Sequence, residues 1–151
     1  MKNWIEKPLG EIFEVVTGNT PSKKESDNYG NLIPFIKPPN IDNGTINRSS
    51  GFLSKKGRSV GRILPSESVL ITCIGNLGRV GINKEEVAFN QQINALKPLS
   101  HLDSKYTFYQ AQTVEFKEQL EQKSTSTTVA LVNKTNFSSI KFKIAPLPIQ
   151  R

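Results

Sequence analysis

The sequence has very few residues of the types that build disulfides, metal centres and catalytic triads. Cys73 is the only cysteine, so an intrachain disulfide and a cysteine-rich zinc site are excluded, and its apolar neighbours predict a place in the core. His101 is the only histidine, which leaves a Ser-His-Asp arrangement without support. The N-terminus has no signal-peptide pattern and no window approaches ~20 apolar residues. We therefore expect a cytoplasmic protein without a membrane partner.

Acidic residues are absent from two long stretches, although the chain holds 20 Lys and Arg, 13 Asp and Glu and a formal net charge of +7. Neither Asn43–Ser66 nor Gln122–Arg151 contains an Asp or Glu. Their basic residues are Arg48, Lys55, Lys56, Arg58, Arg62, Lys123, Lys134, Lys141, Lys143 and Arg151. If both stretches lie on one face, their combined field would attract a polyanion, most simply nucleic acid.

The 151 residues predict one domain, residues 1–151, of the α+β class, with a twisted β-rich core of short strands. Glu11–Gly18 and Ser68–Gly75 are rich in β-branched residues and predict strands. Leu32–Pro39 contains three prolines, which favours an edge strand or an extended segment because proline has no N–H to donate. The dipeptide Asn43-Gly44 predicts a hairpin turn.

The last third of the sequence changes to a helical period. Residues 104–122 predict one or two amphipathic helices with Asp103 or Ser104 as the N-cap, and Ile140–Pro148 predicts a further strand. The positions expected to pack on the sheet recur every three or four residues and are Tyr106, Tyr109, Thr113, Phe116 and Leu120.

Three glycines, Gly75, Gly78 and Gly81, surround Arg79 in the segment "LITCIGNLGRVGI". Their spacing is neither G-x-G-x-x-G nor G-x-x-x-x-G-K-[ST], and both flanks have strand character, so no dinucleotide, P-loop or KH motif is present and no cofactor is predicted. The pattern predicts a strand, a tight turn and a return strand, with glycines at positions of positive φ or close approach. Asn76 or Arg79 could also touch a ligand there.

Catalytic motifs are poorly matched elsewhere. Asp103 and Glu115-Phe116-Lys117 match the Asp and Glu-x-Lys pattern of a magnesium nuclease only loosely. That pattern needs a strand, where alternate residues share a face, whereas Glu115 and Lys117 lie in the strongest helical pattern of the chain. We predict no catalytic residues and no metal site, and we interpret Glu115 and Lys117 as part of a solvated helix face.

The remaining polar and basic residues fit the reading of DNA. Asn and Gln bond adenine, Arg bonds guanine, and Lys, Ser and Thr bond phosphates or either base. Polar strand edges and capping residues are the alternative interpretation of the same side chains. The candidate DNA-contacting residues are Thr20, Ser22, Lys23, Lys24, Lys37, Asn40, Arg48, Lys55, Lys56, Arg58, Arg62, Asn76, Arg79, Asn90, Gln91, Gln92, Ser126, Thr127, Asn133 and Lys134.

Six segments resemble, in order, the target recognition domain of the specificity subunit of type I restriction-modification enzymes. They are Trp4, "PLGEIFEVVTGNTPS", "IPFIKPPNID", "VLITCIGNLGRVGI", "NQQINALKP" and "TTVALVNKTNFSSIKFKIAPLPIQ", and together they span nearly the whole chain. The resemblance implies a non-catalytic α+β module that binds one half of a bipartite site in double-stranded DNA. Partner methyltransferase subunits would methylate adenine, and restriction subunits would join indirectly.

In that family a full specificity subunit resembles two recognition domains separated by long helices, and the first helix starts just after the "PLP" segment. The sequence at hand ends at Arg151. We therefore expect docking on a methyltransferase to need a helical spacer, and we keep a half-subunit, a fragment or a homodimer as interpretations. A different hypothesis is an interaction module or decoy that binds methyltransferase or restriction subunits without reading DNA.

Overall fold

The computed structural model describes residues 3–126 and 128–150, in which short strands alternate with short helices. The strands are β1 (Ile5–Pro8), β2 (Val15–Thr17), β3 (Tyr29–Ile36), β4 (Gly44–Ile46), β5 (Phe52–Leu53), β6 (Ile63–Leu64), β7 (Val69–Thr72), β8 (Val80–Asn83), β9 (Val87–Phe89), β10 (Ile93–Leu96) and β11 (Lys141–Ile144). The helices are α1 (Leu9–Ile12), α2 (Lys55–Val60), α3 (Ser104–Gln110), α4 (Val114–Gln122), α5 (Lys134–Ser138) and α6 (Leu147–Gln150).

The strands form three sheets, two of them mixed. The larger has the order β2-β10-β7-β8-β4, the smaller has the order β5-β3-β9-β6, and β1 pairs with β11. The pairs β4–β8 and β3–β9 are parallel, and the other described pairs are antiparallel. The predicted α+β class with a core of short strands is confirmed.

The central strand β7 is buried on both faces. Val69 and Ile71 belong to an apolar cluster that the C-terminal helices complete with Phe108, Phe116, Leu120 and Phe137. Leu70, on the opposite face of the same strand, packs against residues of the smaller sheet, including Phe89. Because side chains alternate across a strand, the larger sheet lies between the helices on one face and the smaller sheet on the other. Each buried aliphatic or aromatic side chain contributes about 1.5–3 kcal/mol.

Two predicted β segments differ from the structure. The strand expected over Glu11–Gly18 is only β2, because the chain first turns through α1, whose end is marked by the hydrogen bond from Phe13 N to Leu9 O (2.9 Å). The segment Leu32–Pro39 is wrong as an edge strand, since β3 lies between β5 and β9. Proline is tolerated at position 34 because β9 pairs only with the last two residues of β3, and a register shift interrupts the β5 side.

The hairpin predicted at Asn43-Gly44 is also wrong, because β4 pairs in parallel with the distant β8. Asn43 has a φ of 54°, and its side-chain oxygen accepts a hydrogen bond from Val80 N (2.9 Å). The asparagine therefore attaches this turn to the start of β8 and does not fold β4 back on its neighbour in sequence.

The last third differs from the sequence prediction at two points, of which the first is the strand predicted over Ile140–Pro148: it ends at Ile144, and Pro148 lies in α6. Asp103 caps α3 by accepting from the N–H groups of Lys105 and Tyr106, and Phe116 and Leu120 are buried as expected. Tyr109 is 67% exposed, so it does not pack on the sheet; Phe108 is buried in its place. The helix α2 was not predicted, since it lacks an apolar stripe. Within the described residues, no helix has both the length and the apolar composition needed to cross a bilayer.

Candidate nucleic-acid interface

The strand directions bring several loops to one edge of the larger sheet. β2 and β7 end at this edge, whereas β10, β8 and β4 begin there, as their pairing registers require. The smaller sheet reaches the same edge: Asn90 follows β9, leads directly into β10, and donates its backbone N–H to Ile36 O at the end of β3 (3.0 Å). We call the resulting surface the loop rim; it consists of residues 18–20, 37–43, 61–62, 73–79, 90–92 and 124–133, apart from position 127.

Hydrogen bonds join neighbouring segments of the rim. Thr20 Oγ1 donates to Gln91 Oε1 (2.6 Å), so two predicted DNA-contacting residues lie side by side. Asn19 accepts from Arg62 N (2.8 Å) and donates to Val60 O (3.0 Å), which fixes the end of α2 against the first rim segment. These bonds hold three segments that are far apart in sequence in one surface.

A second set of hydrogen bonds attaches the last rim segment. Cys73 N donates to Gln92 O (2.9 Å), and Val132 N donates to Cys73 O (2.9 Å). Gly75 N donates to Ala130 O (2.7 Å), so the glycine segment and residues 130–132 form a short ladder. Burial raises the pKa of the Cys73 thiol to about 12, which makes this cysteine a core residue and not a nucleophile at neutral pH.

The glycine segment is the predicted tight turn between β7 and β8. Gly75 and Gly78 have φ angles of 74° and 86°, and a Cβ on Gly81 would lie 2.7 Å from Ile46 Cγ1. Both predicted reasons for the glycines, positive φ and close approach, are confirmed. Buried Thr72 braces the turn, because its hydroxyl donates to Asn76 O (2.7 Å) and accepts from Arg79 N (3.0 Å).

Four cations on or beside the rim contact neutral groups. Lys37 Nζ lies 5.6 Å from the centre of the Phe35 ring. Arg48 and Arg62 donate to the carbonyl oxygens of Pro39 (3.4 Å) and Thr17 (2.6 Å). Arg79 donates to the side-chain oxygen of Asn76 (2.9 and 3.2 Å) when the oxygen and nitrogen of this amide are exchanged, the assignment that satisfies both side chains. Asp42 is the one acidic residue in the rim segments, so the rim has a net positive field.

The ion pairs found within the described residues lie at the opposite strand ends. Lys97–Glu14 and Lys84–Glu67 join strand ends of the larger sheet, and Arg58–Glu86 and Lys56 with Glu25 and Asp27 lie where β9 and β3 begin. The hydrogen bond to Asp27 raises the pKa of the Lys56 ammonium. The first acid-free stretch is therefore not the unneutralised block that the sequence suggests, because the fold brings distant carboxylates to Lys56 and Arg58.

The second acid-free stretch is divided as well. Lys141 and Lys143 lie on the exposed face of β11 and line a groove that they share with Glu6, Glu115 and Glu118. The condition that both stretches lie on one face is not met by these two lysines, and helix α4 supplies carboxylates beside them. Arg151 and the predicted contact Thr127 lie outside the described residues.

Several candidate residues have structural roles or lie away from the rim. Asn90 is buried and both of its side-chain polar atoms bond Gln92, which matches the capping alternative. Asn133 caps α5 by accepting from Asn136 N (2.8 Å). The loop that follows Thr20 turns away, as Ser22 O accepts from Asn28 at the start of β3. The predicted residues found beyond the rim are Ser22, Lys23, Lys24, Lys55, Lys56, Arg58 and Lys134, and those on or touching it are Thr20, Lys37, Asn40, Arg48, Arg62, Asn76, Arg79, Asn90, Gln91, Gln92, Ser126 and Asn133.

One cation near the rim was not among the predicted contacts. The stem of Lys117, on α4, packs over Gly78: its Cγ lies 3.7 Å from the position of an added Cβ. The helical spacing placed Lys117 one turn before Leu120, which also lies against Gly78, but no pattern in the sequence indicates that this helix face meets the glycine turn.

Comparison with known proteins identifies the family of this chain. The family described as "Type I restriction modification DNA specificity domain" matches residues 1–151. The chain belongs to this family. It is thus a specificity domain and not a catalytic subunit, in agreement with the resemblance drawn from the six sequence segments.

The specificity domain is similar to two curated relatives. It is 27% identical over 144 residues to the type I restriction enzyme HindI specificity subunit of Haemophilus influenzae, an alignment that covers 93% of this chain and 31% of the relative. It is 30% identical over 132 residues to the MjaIX specificity subunit of Methanocaldococcus jannaschii, covering 84% of this chain and 31% of the relative. The chain therefore spans about a third of each relative.

Solved structures show the same fold. A chain from a study of complex assembly and conformational transition of the type I R-M system superposes with a TM-score of 0.77 at 19% identity, covering 100% of this chain and 36% of that one. The HsdS subunit from Thermoanaerobacter tengcongensis gives a TM-score of 0.74 at 18% identity, covering 100% of this chain and 35% of that one. At these identities the likeness concerns the fold alone.

Proposed function

We propose that this specificity domain binds double-stranded DNA sequence-specifically through the loop rim and reads one half of a bipartite site for a type I restriction-modification system. The observation that carries the proposal is the contrast between the two ends of the sheets. Rim cations contact an aromatic ring, carbonyls and an amide, whereas cations at the other end contact carboxylates. The rim cations are not paired with a carboxylate, so they remain available to bind phosphates.

Base reading falls to the polar side chains of the same surface. Gln91 is exposed, and its amide is able to bond a base edge in the major groove. Thr20 already orients Gln91 through its hydrogen bond, which lowers the entropy lost when the amide engages DNA. Phosphate contacts fix the register of the duplex, and the Gln91 amide supplies discrimination between bases.

The partners proposed for the longer assembly follow from the family. A methyltransferase subunit would act on the DNA that the rim holds, and a restriction subunit would join through it, provided that a helical spacer is supplied. A homodimer of this chain would be the other way to read both halves of the site. Half a site offers few contacts, so we expect weak binding by one copy.

Selection from a random duplex library at two salt concentrations tests the function. We expect enrichment of one short sequence and binding that weakens steeply with salt. The matched comparison sets K37Q/R62Q on the rim against K84Q/K97Q at the opposite end, since both variants remove two positive charges. If Lys37 and Arg62 each bind a phosphate, the rim variant loses about 1.8 from the slope of log affinity against log salt. Equal effects of both variants, or no enrichment with wild-type protein, would contradict the proposal.

A second candidate function is supported by an exposed apolar patch. Leu32 is 56% exposed and Phe52 is 42% exposed, and with Pro34 they line one groove beyond the rim. Such a patch suits a protein partner, as in the interaction-module hypothesis. Gel filtration with a methyltransferase subunit in the absence of DNA distinguishes the two, because co-elution lost in the Leu32→Ser variant would favour the patch as the main site.

A further inference from the structure

Two cations from separate elements meet at the glycine turn. Arg79 follows Gly78 directly, and the Lys117 stem lies over Gly78, with Cγ at 3.7 Å and Cε at 4.0 Å from the position of an added Cβ. Neither Arg79 nor Lys117 forms an ion pair within residues 3–126 and 128–150. Glu121, one helical turn after Lys117, is the nearest carboxylate in helical spacing, and it makes no ion pair with this lysine.

The tip of the same turn presents unused backbone donors. The N–H groups of Gly75, Gly78 and Arg79 bond Ala130 O, Thr72 O and Thr72 Oγ1. The N–H groups of the intervening Asn76 and Leu77 have no acceptor in the described part of the chain. Consecutive free amides beside a residue of positive φ are the donors of anion-binding nests.

The turn is both open and rigid. A Cβ on Gly75 would meet nothing within 4 Å, so a ligand can approach the backbone closely there. Thr72 braces the turn from below through two hydrogen bonds, and Ala130 holds its first residue from the side. A ligand would therefore meet donors that are already in place, at little further entropy cost.

Asn76 controls what Arg79 can recognise. With its amide turned so that the oxygen faces the guanidinium, the orientation in which both groups are satisfied, Asn76 accepts from both Nη2 and Nε and leaves the pair with donors only. A donor-only surface matches the oxygens of a phosphate, and a second cation beside it favours a full negative charge over the neutral acceptors of guanine.

We propose that residues 75–79 and Lys117 form a clamp for one phosphate of the DNA backbone, with Asn76 as the residue that positions Arg79. This inference rests on the DNA binding proposed above. The glycine turn then fixes the register of the duplex, and base reading is left to other parts of the rim.

The test measures DNA affinity of K117Q and R79Q across a salt series, using the duplex selected by wild-type protein. We expect each variant to lower the slope of log affinity against log salt by about 0.9, so that the fall in affinity between about 50 and 200 mM salt shrinks by about 3.5-fold. The base preference in a repeated selection should not change. K105Q, a lysine of α3 that shares a groove with Glu67 at the opposite end, removes the same charge and should keep the wild-type slope.

Each contrary result has a distinct meaning. If wild-type protein binds DNA with a steep salt dependence and both variants keep its slope, the clamp is wrong and the proposed function stands. A lost preference at one base in R79Q, with an unchanged slope, shows that Arg79 reads a base and overturns the clamp. If wild-type protein does not bind DNA, both proposals fail. Lys117 lies on a helix surface, so K117Q tests the clamp even if R79Q unfolds.

Discussion

The loop rim and the opposite end are built from the same strands but handle charge in different ways. At the opposite end Lys84, Lys97 and Arg58 each reach a carboxylate, and exposed pairs of this kind contribute about 0–1 kcal/mol each. At the rim, Arg62 and Arg79 are held by a carbonyl and an amide. The rim therefore lacks the modest stabilisation of these ion pairs, and its positive field remains available to attract a ligand.

The rim compensates with backbone hydrogen bonds and close packing. The ladder from Gln92 through Cys73 to Val132 joins three segments without using any charged group. Gly18 lets the first segment pass directly against Asn90, a contact closer than any side chain would allow. We therefore predict that substitutions which displace the backbone lower stability strongly at the rim, whereas the opposite end responds mainly to changes of charge.

Gly18→Ala should give the largest effect. A Cβ at this position would lie 2.2 Å from Asn90 O and 2.4 Å from Phe89 O, and backbone atoms cannot move aside as a side chain can. We expect urea unfolding to show a loss of about 3 kcal/mol or more. Gly44→Ala is the matched control, because its added Cβ meets only Asp42 O at 3.9 Å. Equal stability of the two variants would remove the packing argument for the rim.

The pH dependence of the unfolding free energy tests whether water is excluded from Cys73, the buried residue beneath the rim. The ordinary pKa of a cysteine thiol is 9.0, and burial raises that of Cys73 to about 12. Below pH 9.0 the thiol is protonated in both the folded and the unfolded chain. Between pH 9.0 and about 12 the unfolded chain loses this proton, whereas the folded chain retains it. Stability should therefore fall by about 1.4 kcal/mol per pH unit through this window.

Other groups titrate in the same range, so the useful quantity is a difference between two proteins. The unfolding free energy of wild type minus that of Cys73→Ala, followed from about pH 8 to about pH 10, should decline by roughly 1.4 kcal/mol because only the thiol differs. A constant difference would mean that water reaches Cys73 in the folded protein.

Local signals in the sequence predicted those features that depend on neighbouring residues. The apolar run of β7, the Asp103 cap and the glycine turn follow from propensity, capping and positive φ, and all three are confirmed. Pairing between distant segments did not follow. Nothing in the sequence near Asn43 indicates that its side chain bonds Val80 N, 37 residues away, and this bond decides the partner of β4.

In the candidate site too, local features were predictable from the sequence and contacts between distant residues were not. Residue type and a basic, turn-rich context were enough to select Arg62, Arg79 and Gln91, which the fold brings to one rim. Charge neutralisation was not predictable, because Glu86 reaches Arg58 from the distant loop between β8 and β9. Lys117 was assigned to a solvated face since helical period identifies the face but not what it packs against.

The smallest effect expected comes from removing one acid at each end. Asp42→Asn takes away the one carboxylate of the rim segments, and Glu86→Gln removes a carboxylate at the opposite end with the same change in net charge. A charge about 10 Å from a phosphate through water is worth about 0.4 kcal/mol, which a Debye length of about 8 Å reduces to roughly 0.1 kcal/mol, so Asp42→Asn should raise DNA affinity about 1.2-fold. Glu86→Gln frees Arg58, but Glu86 lies at the end of β9 opposite to the rim. Salt screens a charge there more strongly than one at Asp42, so the affinity of this variant should stay within error of wild type. Fluorescence anisotropy with the selected duplex measures both. A larger gain from Glu86→Gln would place the duplex at the opposite end, where Arg58 could reach it.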